Sequence, residues 1–227
     1  MEKVQVIPAV IPQSYDDLSS ALAGLRGVSS VAHIDVCDGR FVPSVSWPIA
    51  GDSGEWAETV AQDTGLPFWE ELEFEFDLMV GNPLSLALEA IEAGAARIVL
   101  HLEAAGFAEA FEALLVDGRA EIWVAAGARL NLEKHLATIG RAAGYQQMGI
   151  AKIGYQGQPF DPGSLENVRV VRAAFPDLPI AFDGAVSEAT APEIFAAGAG
   201  RLVVGSAIIG AENPRAAARA IEAAAQA

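Results

Sequence analysis

Short β-branched or aromatic runs alternate along this chain with Ala/Leu/Glu-rich stretches of helical spacing. Eight runs read as strands: "VQVIPAVI" (4–11), "VAHIDV" (31–36), "EFEFDLMV" (73–80), "ARIVLHLE" (96–103), "EIWVAA" (121–126), "QMGIAKI" (147–153), "PIAFDGAV" (179–186) and "RLVVGSAII" (201–209). The segments between them include "SYDDLSSALAGLRG", "NPLSLALEAIEAG", "NLEKHLATIGRAAG" and "DPGSLENVRVVRAAF". Several open with Ser, Asn or Asp near a Pro and close on Gly, as capped helices do. Eight strands in strict alternation with helices, in 227 residues, predict an α/β fold of the (β/α)8 TIM-barrel class, with 1–227 as a single domain. An open doubly wound sheet is the competing arrangement, and no GxGxxG follows the first strand to support it. One long mixed connection, 47–71, follows the second strand and reads either as a lid or as a structural cover for the barrel mouth.

Composition narrows the partners. With 52% hydrophobic and 19% charged residues the chain can bury a substantial core. A formal net charge of −16 and the lack of a Lys/Arg cluster argue against a nucleic-acid partner. Cys37 is the one cysteine, so no internal disulfide framework is available, and "MEKVQVIPAV" has neither the basic start nor the apolar run of an export signal. The longest apolar runs fall far short of the roughly 20 residues that span a bilayer. A cytoplasmic protein without a membrane partner is expected, assembled as a homo-oligomer.

The candidate chemistry lies where strands end. His33 and Asp35 on strand 2, Asp77 on strand 3, His101 and Glu103 on strand 4, Lys152 on strand 6 and Asp183 on strand 7 fall at or near carboxyl ends, which in a barrel converge on one pocket. His33 and Asp35, two positions apart, share a strand face. One imidazole facing three carboxylates needs a divalent cation or a shared proton, so His33, Asp35, Asp77 and Asp183 form a candidate metal site. His101 and Glu103 read equally as supports of that site or as hydrogen-bonded core residues, His135 as surface, and Asp38 as the shaper of the "DGRFVP" turn. Glycine turns after strands 6, 7 and 8 contribute Gly154, Gly157, Gly184, Gly205 and Ser206, whose backbone N–H groups suit a phosphate-bearing ligand.

Across nearly its whole length the chain resembles ribulose-phosphate 3-epimerase, in "IPAVI", "HIDVCDGRFVP", "DLMVGNP", "LHLEA", "GYQGQPF", "FDGAV" and "AGAGRLVVGSAI". The resemblance implies a barrel of the ribulose-phosphate-binding type, one divalent ion (Zn, Mn, Fe, Co or Mg), a phosphorylated sugar as small-molecule partner, and Asp35 and Asp183 as proton carriers that also ligate the metal. That family holds its metal with two histidines and two aspartates. His33, Asp35 and Asp183 match, whereas Asp77 stands in place of the second histidine. Ala9, Cys37, Lys152 and Ala185 are further departures in or beside the pocket, which Met79 and His101 also line. The extra carboxylate favours harder ions such as Mg²⁺ or Mn²⁺. Two other functions compete: a Schiff-base aldolase using Lys152, and a catalytically silent phosphosugar-binding protein.

Overall fold

The computed structural model describes residues 4–51, 53–155 and 157–227. Eight strands follow one another round a closed barrel: β1 (Gln5–Val10), β2 (Val31–Cys37), β3 (Glu73–Met79), β4 (Ala95–His101), β5 (Glu121–Ala126), β6 (Gly144–Met148), β7 (Ile180–Asp183) and β8 (Arg201–Val204). The (β/α)8 expectation is met, and with it the alternation of strand and helix.

Within the stretch Ala9–Ile122, β2, β3 and β4 pair in parallel and are followed by helices α2 (Ser53–Val60), α3 (Leu84–Glu92) and α4 (Phe107–Asp117), with α1 (Tyr15–Leu25) before β2. Side-chain parity sorts this part of the molecule. Even-numbered residues of β3 turn outward, and Phe76 meets the Trp56 ring of α2 at 6.3 Å. Odd-numbered residues of the same strand, Glu75, Asp77 and Met79, turn to the face shared with His33, Asp35 and Cys37, since those pairs stand opposite each other in the ladder. From Trp123 onward, β6, β7 and β8 pair in parallel, with α5 (Leu136–Ile139) before β6 and α6 (Ser164–Ala174), α7 (Ala191–Ala197), α8 (Ser206–Ile209) and α9 (Pro214–Ala225) between and after the three strands.

Four sequence expectations need correction. Strand 6 is Gly144–Met148 rather than 147–153, so Lys152 lies beyond it in an exposed loop. Strand 4 ends at His101, which leaves Glu103 exposed in the following turn. The run 201–209 is a strand only to Val204, and Ser206–Ile209 forms a turn of helix. The connection 47–71 carries helix α2, whose Trp56 meets the fully buried Trp47 edge-on at 5.0 Å and donates its Nε1–H to Glu89 of α3 at 2.7 Å. These contacts join α2 to the helical layer beside α3. Among the described residues no helix is long and apolar enough to cross a membrane.

Candidate functional site

Strand pairing itself assembles the polar cluster. His33 stands opposite Glu75, and Asp35 opposite Asp77, all four on one face and all buried. A carboxylate row of this kind repels itself unless cations intervene. Two histidines do so: His33 Nε2 lies 3.3 Å from Asp35 Oδ1 and 3.7 Å from Asp77 Oδ2, and His101 Nε2 lies 2.8 Å from Asp77 Oδ1. Phe41, from the loop after β2, lays its ring 5.3 Å from the His101 imidazole.

Burial alone would push the His33 imidazole down, but the Asp35 and Asp77 carboxylates beside it and the Glu75 hydrogen bond outweigh it and hold the ring well above the ordinary histidine range. Asp35 moves the other way from most paired carboxylates. Burial raises it, and the neighbouring His33 only partly offsets that. For Asp77, burial is outweighed by the charge and hydrogen bond of His101, so its carboxyl sits well below the usual range. Two facing carboxyls are thereby driven apart, as in sites where one group moves protons and the other remains charged.

The same geometry suits a cation. His33 Nε2 has carboxylate oxygens of both Asp35 and Asp77 within 3.7 Å. Ligand atoms about 2.0–2.2 Å from an ion stand roughly 3.3–3.6 Å from one another in a tetrahedron, which accommodates the His33 to Asp35 and Asp77 spacings. His33 Nε2 and Asp35 Oδ1 are buried atoms that complete no hydrogen bond among the described residues, the state expected of donors reserved for an ion. The Asp35 and Asp77 carboxylates with the His33 imidazole form a donor set that fits a hard divalent cation.

The flanking residues fall as follows. Ala9 pairs with His33 across β1 and β2, and Cys37 with Met79 across β2 and β3; all three are buried. Burial first, then the nearby Asp35 and Asp77 charges, push the Cys37 thiol up to about 12, so it is an inert wall. Asp38 accepts backbone N–H groups from Arg40 (2.8 Å), Phe41 (2.7 Å) and Gly81 (2.8 Å), which ties the loop after β2 to the loop after β3. Lys152 is not brought to the cluster; it stays in its exposed loop.

The glycine turns occupy the loops after β6, β7 and β8. Gly154, Gly157 and Gly184 have φ values of 82°, 70° and 102°, which favour glycine. Ala185 adopts φ 55° with a side chain present, held by the Thr190 hydroxyl donating to its carbonyl at 2.9 Å. Gly205 precedes α8, whose first residue Ser206 is exposed.

Sequence reasoning missed two members of the cluster. Glu75 and Arg97 are both buried, and Glu75 Oε1 lies 2.8 Å from His33 Nδ1. The signal was available in "EFEFD": Glu75 shares Asp77's face at a spacing of two.

Comparison with known proteins gives the family. The family model described as "Ribulose-phosphate 3 epimerase family" matches residues 5–209. The ribulose-phosphate 3-epimerase of Aquifex aeolicus is 30% identical over 207 residues, covering 88% of this chain and 86% of that one. That of Mycobacterium tuberculosis is 29% identical over 226 residues, covering 95% and 90%. Among solved structures, 3-keto-L-gulonate-6-phosphate decarboxylase from Vibrio cholerae superposes with a TM-score of 0.70 at 15% identity, over 100% of this chain and 98% of that one, a likeness of fold.

Proposed function

Because the chain belongs to the ribulose-phosphate 3-epimerase family, we propose that it inverts the carbon beside the ketone of a phosphorylated ketose, using a divalent cation held by His33, Asp35, Asp77 and Asp183. The observation that supports this reading is the buried pair His33 Nε2 and Asp35 Oδ1, 3.3 Å apart and completing no hydrogen bond among the described residues, beside the Asp77 carboxylate. Once bound, the cation would supply Lewis-acid stabilisation of the negative charge that develops on the substrate's oxygens.

The chain's own groups do the rest. Asp35, buried on β2, would accept the proton from the carbon as general base. Asp183, at the end of β7, returns a proton to the opposite face. Asp77, held charged by His101, keeps its acceptor character throughout. The substrate phosphate is held by backbone N–H groups of the turns at Gly154, Gly157, Gly184, Ala185, Gly205 and Ser206. Gly149 supports this wall: a side chain there would meet Phe182 Cε1 at 2.2 Å and the Gly184 carbonyl at 2.4 Å, so the turn carrying Gly184 packs directly against bare backbone.

The Schiff-base alternative loses its footing, because lysine is activated for that chemistry by burial or a cationic neighbour, and Lys152 is exposed. The reading is tested by purifying the protein without chelator and assaying ketose-phosphate epimerisation before and after stripping with a chelator. Restoration by Mn²⁺ or Mg²⁺ supports it; activity indifferent to stripping removes the cation from the account.

A further inference from the structure

Glu75 is a carboxylate placed deep in the molecule, 2% exposed, at a position where an apolar side chain would pack at no electrostatic cost. Replacing a buried ion pair by well-packed apolar residues is often neutral or stabilising, so its presence calls for another reason. Its two oxygens point to different partners. Oε1 lies 2.8 Å from His33 Nδ1, and Oε2 accepts from Arg97 NH1. Arg97 is anchored in turn by Glu121 Oε2, which accepts from its Nε at 3.0 Å and its NH2 at 2.7 Å. Glu121 opens β5 with about half of its side chain exposed, so the chain Glu121–Arg97–Glu75–His33 runs inward from the solvent-exposed start of a strand.

The backbone is shaped to make this chain. On β3 and β4, Phe74 pairs with Ala95, so regular pairing would set Glu75 opposite Ala96. A register shift between Phe74 and Glu75 sets it opposite Arg97 instead. Such irregularities re-aim side chains next to functional sites. On its other side Glu75 already faces His33. One bulge therefore aligns Arg97, Glu75 and His33 in a single row across three strands.

The chemical consequence lies in the imidazole. A carboxylate paired with a guanidinium only accepts, so the His33 nitrogen facing it, Nδ1, keeps its proton, and Nε2, which faces Asp35 and Asp77, is the nitrogen that gives up its proton and offers its lone pair when a cation binds. Building on the metal-dependent reading above, we infer that Glu75, clamped by Arg97, is the positioning residue that fixes the ring orientation and tautomer of His33 for cation binding. Nothing in the two residues' placement lets them reach a substrate; they act through His33. Partners of this kind typically change metal affinity by about 10–100-fold when removed.

The test uses the full chain, loaded with zinc and labelled with ¹⁵N-histidine; the three histidines are assigned by single replacement. Calorimetry gives the zinc affinity, and the ring nitrogen shifts give the His33 tautomer. Wild type is expected to show a protonated Nδ1 and a zinc-bound Nε2. Glu75→Gln, which keeps the shape but lets the amide donate, is expected to bind zinc about 10–100-fold more weakly and to show a mixed or inverted His33 tautomer. If that single variant does not fold, Glu75→Gln with Arg97→Met removes both charges and is expected to give the same two changes. Zinc affinity and His33 tautomer unchanged from wild type in a folded variant would overturn the inference. If wild type takes up no zinc, the metal-dependent reading falls separately, and the clamp is judged on the ring alone: an Nδ1 proton present in wild type and lost in the variant supports it, and an unchanged one overturns it.

Discussion

Asp35 and Asp77 stand directly opposite each other on β2 and β3, both buried, and the His33 imidazole lies beside both carboxylates. The pair is tolerable because His101 binds Asp77 at 2.8 Å while His33 stands between the two carboxylates. Removing His101 takes from the buried Asp77 carboxylate its 2.8 Å hydrogen-bonding partner. His101→Leu should therefore lower the stability of the cation-free protein by about 1–3 kcal/mol, and His101→Gln, which keeps a donor, by less. Urea midpoints at neutral pH measure both, and equal midpoints for Leu and Gln would show that the contact carries no charge pairing.

The cluster also sets a pH dependence. His33 is raised in the folded state, so its contribution is fully present below the unfolded value of about 6.5 and is lost as pH rises through the folded value. Asp35 is raised too, and its contribution is likewise lost on rising pH, from about 3.9 upward. Asp77 is lowered, so its contribution is present above about 3.9 and is lost as pH falls through its folded value. The cation-free protein should lose stability from these groups as pH rises past neutrality, and cation uptake should release protons in the same range, because His33 Nε2 must be bare to ligate. Thermal scans with chelator across pH 5–9, and calorimetry of Mn²⁺ uptake in buffers of different ionisation enthalpy, follow both.

Much of this was legible in the chain. The alternation of "VAHIDV" or "RIVLHL" with capped amphipathic segments dictates strand and helix order, and strand order in a parallel barrel brings His33, Asp35, Asp77 and Asp183 to carboxyl ends. Three things were not legible, each for a physical reason. "GYQQM" lacks β-branched residues, while "MGIAKI" has two, so strand 6 was read too late and Lys152 was drawn onto it. Helix α2, 8 residues in a Trp/Gly-rich stretch, is held by its Trp56 packing on Trp47 and Phe76 from outside the helix rather than by its own periodicity. Arg97 meets Glu75 only through a register shift, which pattern alone does not reveal.

Ala185 offers a local test of the turn after β7. Its φ of 55° is a conformation in which a side chain costs about 1–2 kcal/mol, partly offset by the lower unfolded-state entropy of alanine relative to glycine. Ala185→Gly should be neutral or stabilising by up to about 1 kcal/mol, against the usual loss on introducing glycine. Denaturant unfolding decides it; a loss of more than about 1 kcal/mol would show the backbone is unstrained there.

The central claim is that Asp35 and Asp183 move a proton on and off the carbon beside a ketose-phosphate carbonyl. Its most direct test is deuterium incorporation from D₂O into ribulose 5-phosphate and other ketose phosphates, with Mn²⁺ present, followed by NMR for wild type, Asp35→Asn and Asp183→Asn. The account predicts exchange at that carbon for wild type. Each Asn variant should lose inversion by at least about two orders of magnitude while keeping its fold, as removal of a proton carrier does. A cation-loaded wild type that exchanges no carbon-bound proton in any of these sugars would contradict the account.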